Sequence, residues 1–96
     1  MRILLVEDEE KVSGFVARGL MAERFAVDVI GDGQAGLELA TTYSYDLVIL
    51  DLMLPKMDGT QVLRRLRSEN VNVPVFILTA RDAVSDKVGN FAVGKK

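Results

Sequence analysis

A chain of 96 residues has room for one domain and no second. Hydrophobic residues make up 49% of it, enough for a packed interior, and a formal net charge of −2 supplies no basic field to attract nucleic acid. Cysteine and histidine are both absent, which excludes disulfides, thiolate metal sites and the commonest general base. Chemistry must rest on carboxylates, hydroxyls, lysine and a hard metal.

In chain order, the first element is the apolar run Ile3-Leu4-Leu5-Val6, followed at once by Glu7, Asp8, Glu9 and Glu10. The run is too short for a signal peptide, and no segment approaches the ~20 apolar residues of a membrane span. A soluble cytoplasmic protein that does not engage a membrane is expected. Val12, Phe15, Val16, Gly19 and Leu20 recur at helical spacing and form one apolar stripe. Phe25–Ile30 is a strand interrupted by Asp28, which suits a sheet edge. Gly33 opens a second helix with Leu37 and Ala40 on one face, weakened by Gly36. Leu47-Val48-Ile49-Leu50 is a buried strand leading directly to Asp51. Asp58 caps a third helix, with Val62, Leu63 and Leu66 inward and Arg64, Arg65 and Arg67 toward solvent. Pro74 introduces the strand Val75-Phe76-Ile77-Leu78. A fourth helix is expected after Arg81, carrying Val84, Val88 and Phe91.

Apart from the second, the strand runs are continuous rather than alternating, as when helices cover both sheet faces. Strict alternation of strand and helix implies an α/β fold. Its sheet is parallel and doubly wound, with right-handed crossovers.

In such a sheet, ligands bind beyond the carboxyl ends of the strands. Glu7 and Asp8 follow the first run, Asp51 the third, and Thr79 and Ala80 the fourth. Crowded carboxylates repel one another and need a cation or a proton. An all-oxygen ligand set suits Mg²⁺ or Mn²⁺. Plainer readings exist for each residue taken singly. Glu7 and Asp8 suit the positive end of a helix, Asp51 suits a turn, and threonine is common in strands. Convergence from distant segments favours a shared site. Leu52-Met53-Leu54-Pro55, following Asp51, is apolar and not obvious cap context. Gly59 provides either an unusual backbone angle or close packing. The hydroxyl of Thr79 suits a phosphate oxygen, and the small Ala80 leaves room for a ligand.

Three segments together resemble the receiver domain of bacterial two-component response regulators. They are Leu4-Leu5-Val6-Glu7-Asp8-Glu9, the stretch from Asp46 through Asp51 and Pro55 to Gly59, and the stretch from Pro74 through Thr79 and Ala80 to Asp82. The wording is closest to the subfamily whose output is a winged-helix DNA-binding transcription factor. The resemblance covers nearly the whole chain. It implies a flavodoxin/CheY-like sheet, with Asp51 as phosphoacceptor, Asp8 as principal Mg²⁺ ligand and Glu7 beside it. It implies further that Met53 offers its backbone carbonyl to the metal, Thr79 is the switch hydroxyl, Ala80 lines the pocket, and Pro55 and Gly59 shape the loop. The implied partner is a sensor histidine kinase, whose phosphohistidine is attacked by an Asp51 oxygen while Mg²⁺ bridges carboxylate and phosphoryl oxygens. Phosphorylation then biases a two-state surface.

Family members continue into a fifth strand carrying a lysine, then a fifth helix. Here Lys87–Gly94 resembles the end of the fourth helix, and the chain stops at Lys95-Lys96. The expectation is therefore a receiver domain over residues 1–96 that lacks the fifth strand and fifth helix. The family lysine's role is assigned to neither Lys95 nor Lys96. An alternative has Phe91-Ala92-Val93 replacing the strand and bringing Lys95 inward. The loss would leave the strand Val75–Leu78 at an edge, favouring marginal stability or self-association through that edge.

Two other function classes compete. One is a phosphorylation-incompetent interaction or oligomerisation module that keeps a kinase-docking surface on the first helix. The other is a metal-dependent phosphohydrolase with an aspartyl nucleophile, which would usually carry a second Asp where this chain has Met53. Direct nucleic-acid binding has little support, because Arg64, Arg65 and Arg67 read as a solvated helix face. DNA contact would belong to an output domain outside this chain.

Overall fold

The computed structural model describes residues 1–78. Its elements are β1 (Arg2–Val6), α1 (Glu10–Ala22), β2 (Ala26–Ile30), α2 (Gly33–Thr42), β3 (Leu47–Asp51), α3 (Gly59–Ser68) and β4 (Val75–Leu78). All strand pairs are parallel and the sheet order is β2-β1-β3-β4. This is the doubly wound order expected of a flavodoxin-like sheet. The expected fourth helix after Arg81 lies outside the described residues. So do Thr79, Ala80, Lys95 and Phe91-Ala92-Val93.

Side chains alternate across each strand, so a continuous apolar run feeds both faces. Leu4, Val6, Val48, Leu50, Val75 and Ile77 meet Leu37 and Ala40 of α2 and Val62 and Leu66 of α3. On the other face, Ile3, Leu5 and Ile49 meet Ala17, with Val16 and Leu20 packed alongside. Among the described residues, two helices cover one face and one the other, and parallel pairing brings the carboxyl ends of β1 and β3 to a common rim.

Several expectations need correction. The face of α1 turned to the sheet centres on Ser13 and Ala17, with Val16 and Leu20 at its side, while Phe15 is 73% exposed. Small residues let the helix sit close to the sheet, and the apolar stripe is wider than the arc the sheet covers. Gly36 has a packing role in α2 that its helix propensity does not reveal. A Cβ there would stand 2.9 Å from Val6, so glycine permits the helix to lie against β1. Asp32, which the sequence reading passed over, caps α2 by accepting from the Ala35 N–H at 2.7 Å. Asp58 forms a reciprocal capping box with Gln61, as a cap there predicts. Arg67 turns back from solvent and donates to the Val71 carbonyl at 2.7 Å, closing the end of α3.

The edge position of β2 is as expected, and Asp28 has a structural task there. Its carboxylate accepts from the Arg2 guanidinium at 2.9 Å and from the Tyr45 hydroxyl at 2.7 Å. These bonds tie β2, β1 and the approach to β3 at the end of the sheet remote from Asp51.

Candidate functional site

Parallel pairing of β1 with β3 sets Val6 opposite Leu50. The next residue on each chain is a carboxylate. Glu7 and Asp51 therefore emerge side by side, and both are buried. Asp8 stands beside them, exposed to solvent. One carboxylate oxygen from each of the three lies within 4.8 Å of the others. The chain thus gathers its predicted acidic residues at one point.

Backbone groups hold these side chains. The Glu9 N–H donates to Glu7 Oε2 at 3.0 Å, and the Met53 N–H donates to Asp51 Oδ1 at 3.3 Å. Glu7 thus accepts from the residue ahead of α1 rather than from its first turn, so it does not cap the helix, and the shared-site reading is the one that applies to it. The Glu9 position that caps α1 makes no side-chain cap bond of its own.

The loop after Asp51 folds back on itself. The Gly59 N–H donates to the Leu52 carbonyl at 2.9 Å. A Cβ on Gly59 would overlap the Asp51 carbonyl oxygen and stand 2.8 Å from Leu52 Cα. Among the described residues no glycine has a positive φ, so close packing explains Gly59 and the unusual-angle reading falls. The left-handed position in this loop belongs to Lys56, at φ 71°. The sequence carries no signal for that, because lysine is not a residue favoured there.

Burial and mutual repulsion shape the protonation of the cluster. Burial pushes Glu7 up to about 7, with the charges of Asp51 and Asp8 adding and the Glu9 N–H opposing. Asp51 is also raised, first by burial and then by Asp8, against the N–H groups of Met53 and Leu52 and the Glu7 side chain. Without a cation, burial and mutual repulsion favour a proton on the Glu7–Asp51 pair. A cation placed among the three would displace that proton. The donor set is entirely oxygen, with one member open to water, and this fits Mg²⁺, which keeps waters and takes one or two carboxylates.

Met53 is tied to Asp51 through its backbone while its side chain is about half exposed. Pro55 offers its carbonyl to the Gly33 N–H at 3.3 Å, a link to α2 that the sequence reading missed. Asp32-Gly33, a cap followed by a glycine, was the available signal. A cavity of about 290 Å³ at the opposite end of the sheet is lined by Tyr43, Tyr45, Val71 and Val73 among others, none of its lining residues a carboxylate. It lies away from the cluster.

The family description that matches is the response regulator receiver domain, over residues 3–96. The chain belongs to this family. Transcriptional regulatory protein QseB of Haemophilus influenzae is 46% identical over 94 residues, covering 98% of this chain and 42% of that protein. The receiver thus spans less than half the length of this curated relative. The receiver domain of a Francisella response regulator superposes with a TM-score of 0.84 at 32% identity, covering 99% of this chain and 78% of that one. The response regulator TrrA of Thermotoga maritima, solved in complex with Mg²⁺ and BeF, gives a TM-score of 0.80 at 28% identity, covering 95% of this chain and 79% of that one. Among the described residues, no helix is long and apolar enough to cross a membrane.

Proposed function

We propose that this receiver accepts a phosphoryl group on Asp51 from the phosphohistidine of a sensor histidine kinase. One observation carries the reading: Glu7, Asp8 and Asp51 converge, an oxygen of each within 4.8 Å of the others, at the carboxyl ends of β1 and β3. In the step proposed, an Asp51 oxygen attacks phosphorus in line. The O–P bond forms as the N–P bond breaks, and the imidazole leaves on the donor. The Met53 N–H keeps the carboxylate oriented for that attack. Bound Mg²⁺ would be held by Asp8, Asp51, Glu7 and the Met53 carbonyl, and it would neutralise charge on the carboxylate and the incoming phosphoryl oxygens. Mn²⁺ has the same donor preference. Thr79 would bind a phosphoryl oxygen as the switch hydroxyl, and Ala80 would line the pocket.

The single receiver domain, 1–96, would act on an output region outside this chain, of the transcription-regulating kind found in its relatives. A cytoplasmic location suits a phosphohistidine donor. Self-association through the β4 side of the sheet belongs to the same proposal, as does the absence of DNA contact by this chain, whose net charge is −2.

The test is intact-mass analysis after incubation with a small-molecule phosphodonor and Mg²⁺, beside Asp51→Asn. The expected result is gain of one phosphoryl group, absent in Asp51→Asn and without metal. A folded chain that gains none refutes acceptance. One observation favours a second reading, an interaction module without phosphoryl transfer: Phe15 on α1 is 73% exposed. That reading predicts kinase binding that Phe15→Ser abolishes, in a chain that never takes up phosphate.

A further inference from the structure

We propose that Gly33, the first residue of α2, is a positioning residue for the Asp51 site, acting through the loop between β3 and α3. The inference rests on the function proposed above and extends the same site to a residue on another element.

The loop of residues 52–58 is held in three places. At its start, the Met53 N–H donates to Asp51 Oδ1 at 3.3 Å. At its end, Gly59 lies against the backbone of Asp51 and Leu52 with no room for a Cβ. In its middle, the Gly33 N–H donates to the Pro55 carbonyl at 3.3 Å. A Cβ on Gly33 would overlap the Met57 carbonyl oxygen and stand 2.7 Å from the Met57 carbonyl carbon. These are backbone atoms, so no side-chain rotation relieves the overlap.

The helix has little freedom to retreat. Asp32 caps it, Gly36 lies against Val6, and Leu37 and Ala40 are in the core. The loop is the softer partner. It is exposed at Met53, Pro55 and Lys56, and Lys56 already holds a left-handed backbone angle. A side chain at position 33 therefore pushes the loop. Because Gly59 pins its far end, the displacement passes to Pro55 and Met53, and from Met53 to the Asp51 carboxylate. Loss of an orienting partner of this kind commonly weakens metal affinity by about tenfold or more.

The experiment is a Mg²⁺ titration of the full chain followed by amide NMR, for wild type, Gly33→Ala and Gly19→Ala. Gly19 is a helical glycine with open space around it, so its alanine variant controls for helix propensity. Gly33→Ala is expected to bind Mg²⁺ about tenfold more weakly than wild type, with the Met53 amide already shifted in the absence of metal. Gly19→Ala should match wild type in both. Wild-type affinity together with an unmoved Met53 amide in Gly33→Ala overturns the proposal. If Gly33→Ala does not fold, wild type carries the test: Mg²⁺ must move the Gly33 amide along with that of Met53. A still Gly33 amide while Met53 moves overturns it equally. A wild type that binds no Mg²⁺ defeats the reading of the site, whereas the metal-free shift of the Met53 amide in Gly33→Ala still decides the mechanical link.

Discussion

Raising the pH of the metal-free protein should destabilise it across a window that Glu7 defines. The unfolded chain releases the Glu7 proton near 4.5, whereas the buried carboxyl, beside Asp51 and Asp8, holds it until about 7. Between those values the folded state binds more protons than the unfolded one, so the unfolding free energy falls as pH rises. Its contribution is fully present below 4.5 and lost as pH passes about 7. A tenfold change in proton affinity corresponds to about 1.4 kcal/mol, and discounted for water at the open side of the cluster the window amounts to roughly 1–3 kcal/mol. Asp51 is raised as well, and its contribution has the same sign. Asp28, held down by the Tyr45 hydroxyl and Arg2, works in the opposite direction, but only as pH falls below its ordinary 3.8. The assay is urea denaturation in chelator at a series of pH values, for wild type and Glu7→Gln. Wild type should lose stability across the window, and Glu7→Gln should show a flatter profile that retains only the Asp51 part. Mg²⁺ at a hundredfold over its Kd should restore about 2.7 kcal/mol, and less Mg²⁺ should be needed to reach that excess at higher pH, where the proton no longer competes. Stability that is flat or rising in metal-free wild type across this window would refute the reasoning.

Three substitutions test the packing that supports the site. Gly59→Ala places a Cβ against the Asp51 carbonyl oxygen and should destabilise by about 1–3 kcal/mol, read by chemical denaturation. An unchanged midpoint would show that the loop yields freely there. Leu66→Ala empties a fully buried position between α3 and the sheet and should lose about 2–5 kcal/mol in the same assay. A loss below that range would mean that the neighbours collapse into the space. Phe15→Ser removes a side chain that is 73% exposed and should shift stability by no more than about 0.5 kcal/mol. A loss well above that would mean Phe15 is covered in solution.

The exposure of Phe15 shows where pattern alone misleads. Spacing identifies an apolar stripe on α1, but not which part of the stripe meets the sheet. Ser13 and Ala17 take that place because their small side chains allow the closest approach. Gly36 and Gly59 carry a similar lesson. A glycine in a sequence is compatible with flexibility, an unusual angle or close contact, and only the neighbour that fills the space distinguishes them. Lys56 adopts a left-handed angle that no local preference anticipates, because the loop is closed from outside by α2 and by Gly59.

By itself, the sequence determined the alternation of strands and helices, the parallel sheet and the acidic residues at its strand ends. Each of those follows from local periodicity and from what comes directly after a buried run. Only the tertiary structure decided that Glu7, more than Asp8, is the buried partner of Asp51, and that burial raises its proton affinity. It alone brought Gly33 of α2 against the loop that orients the acceptor. Proton affinity depends on burial and on charges from distant segments, and loop position depends on backbone contacts between separate elements. Neither quantity is written in the order of neighbouring residues.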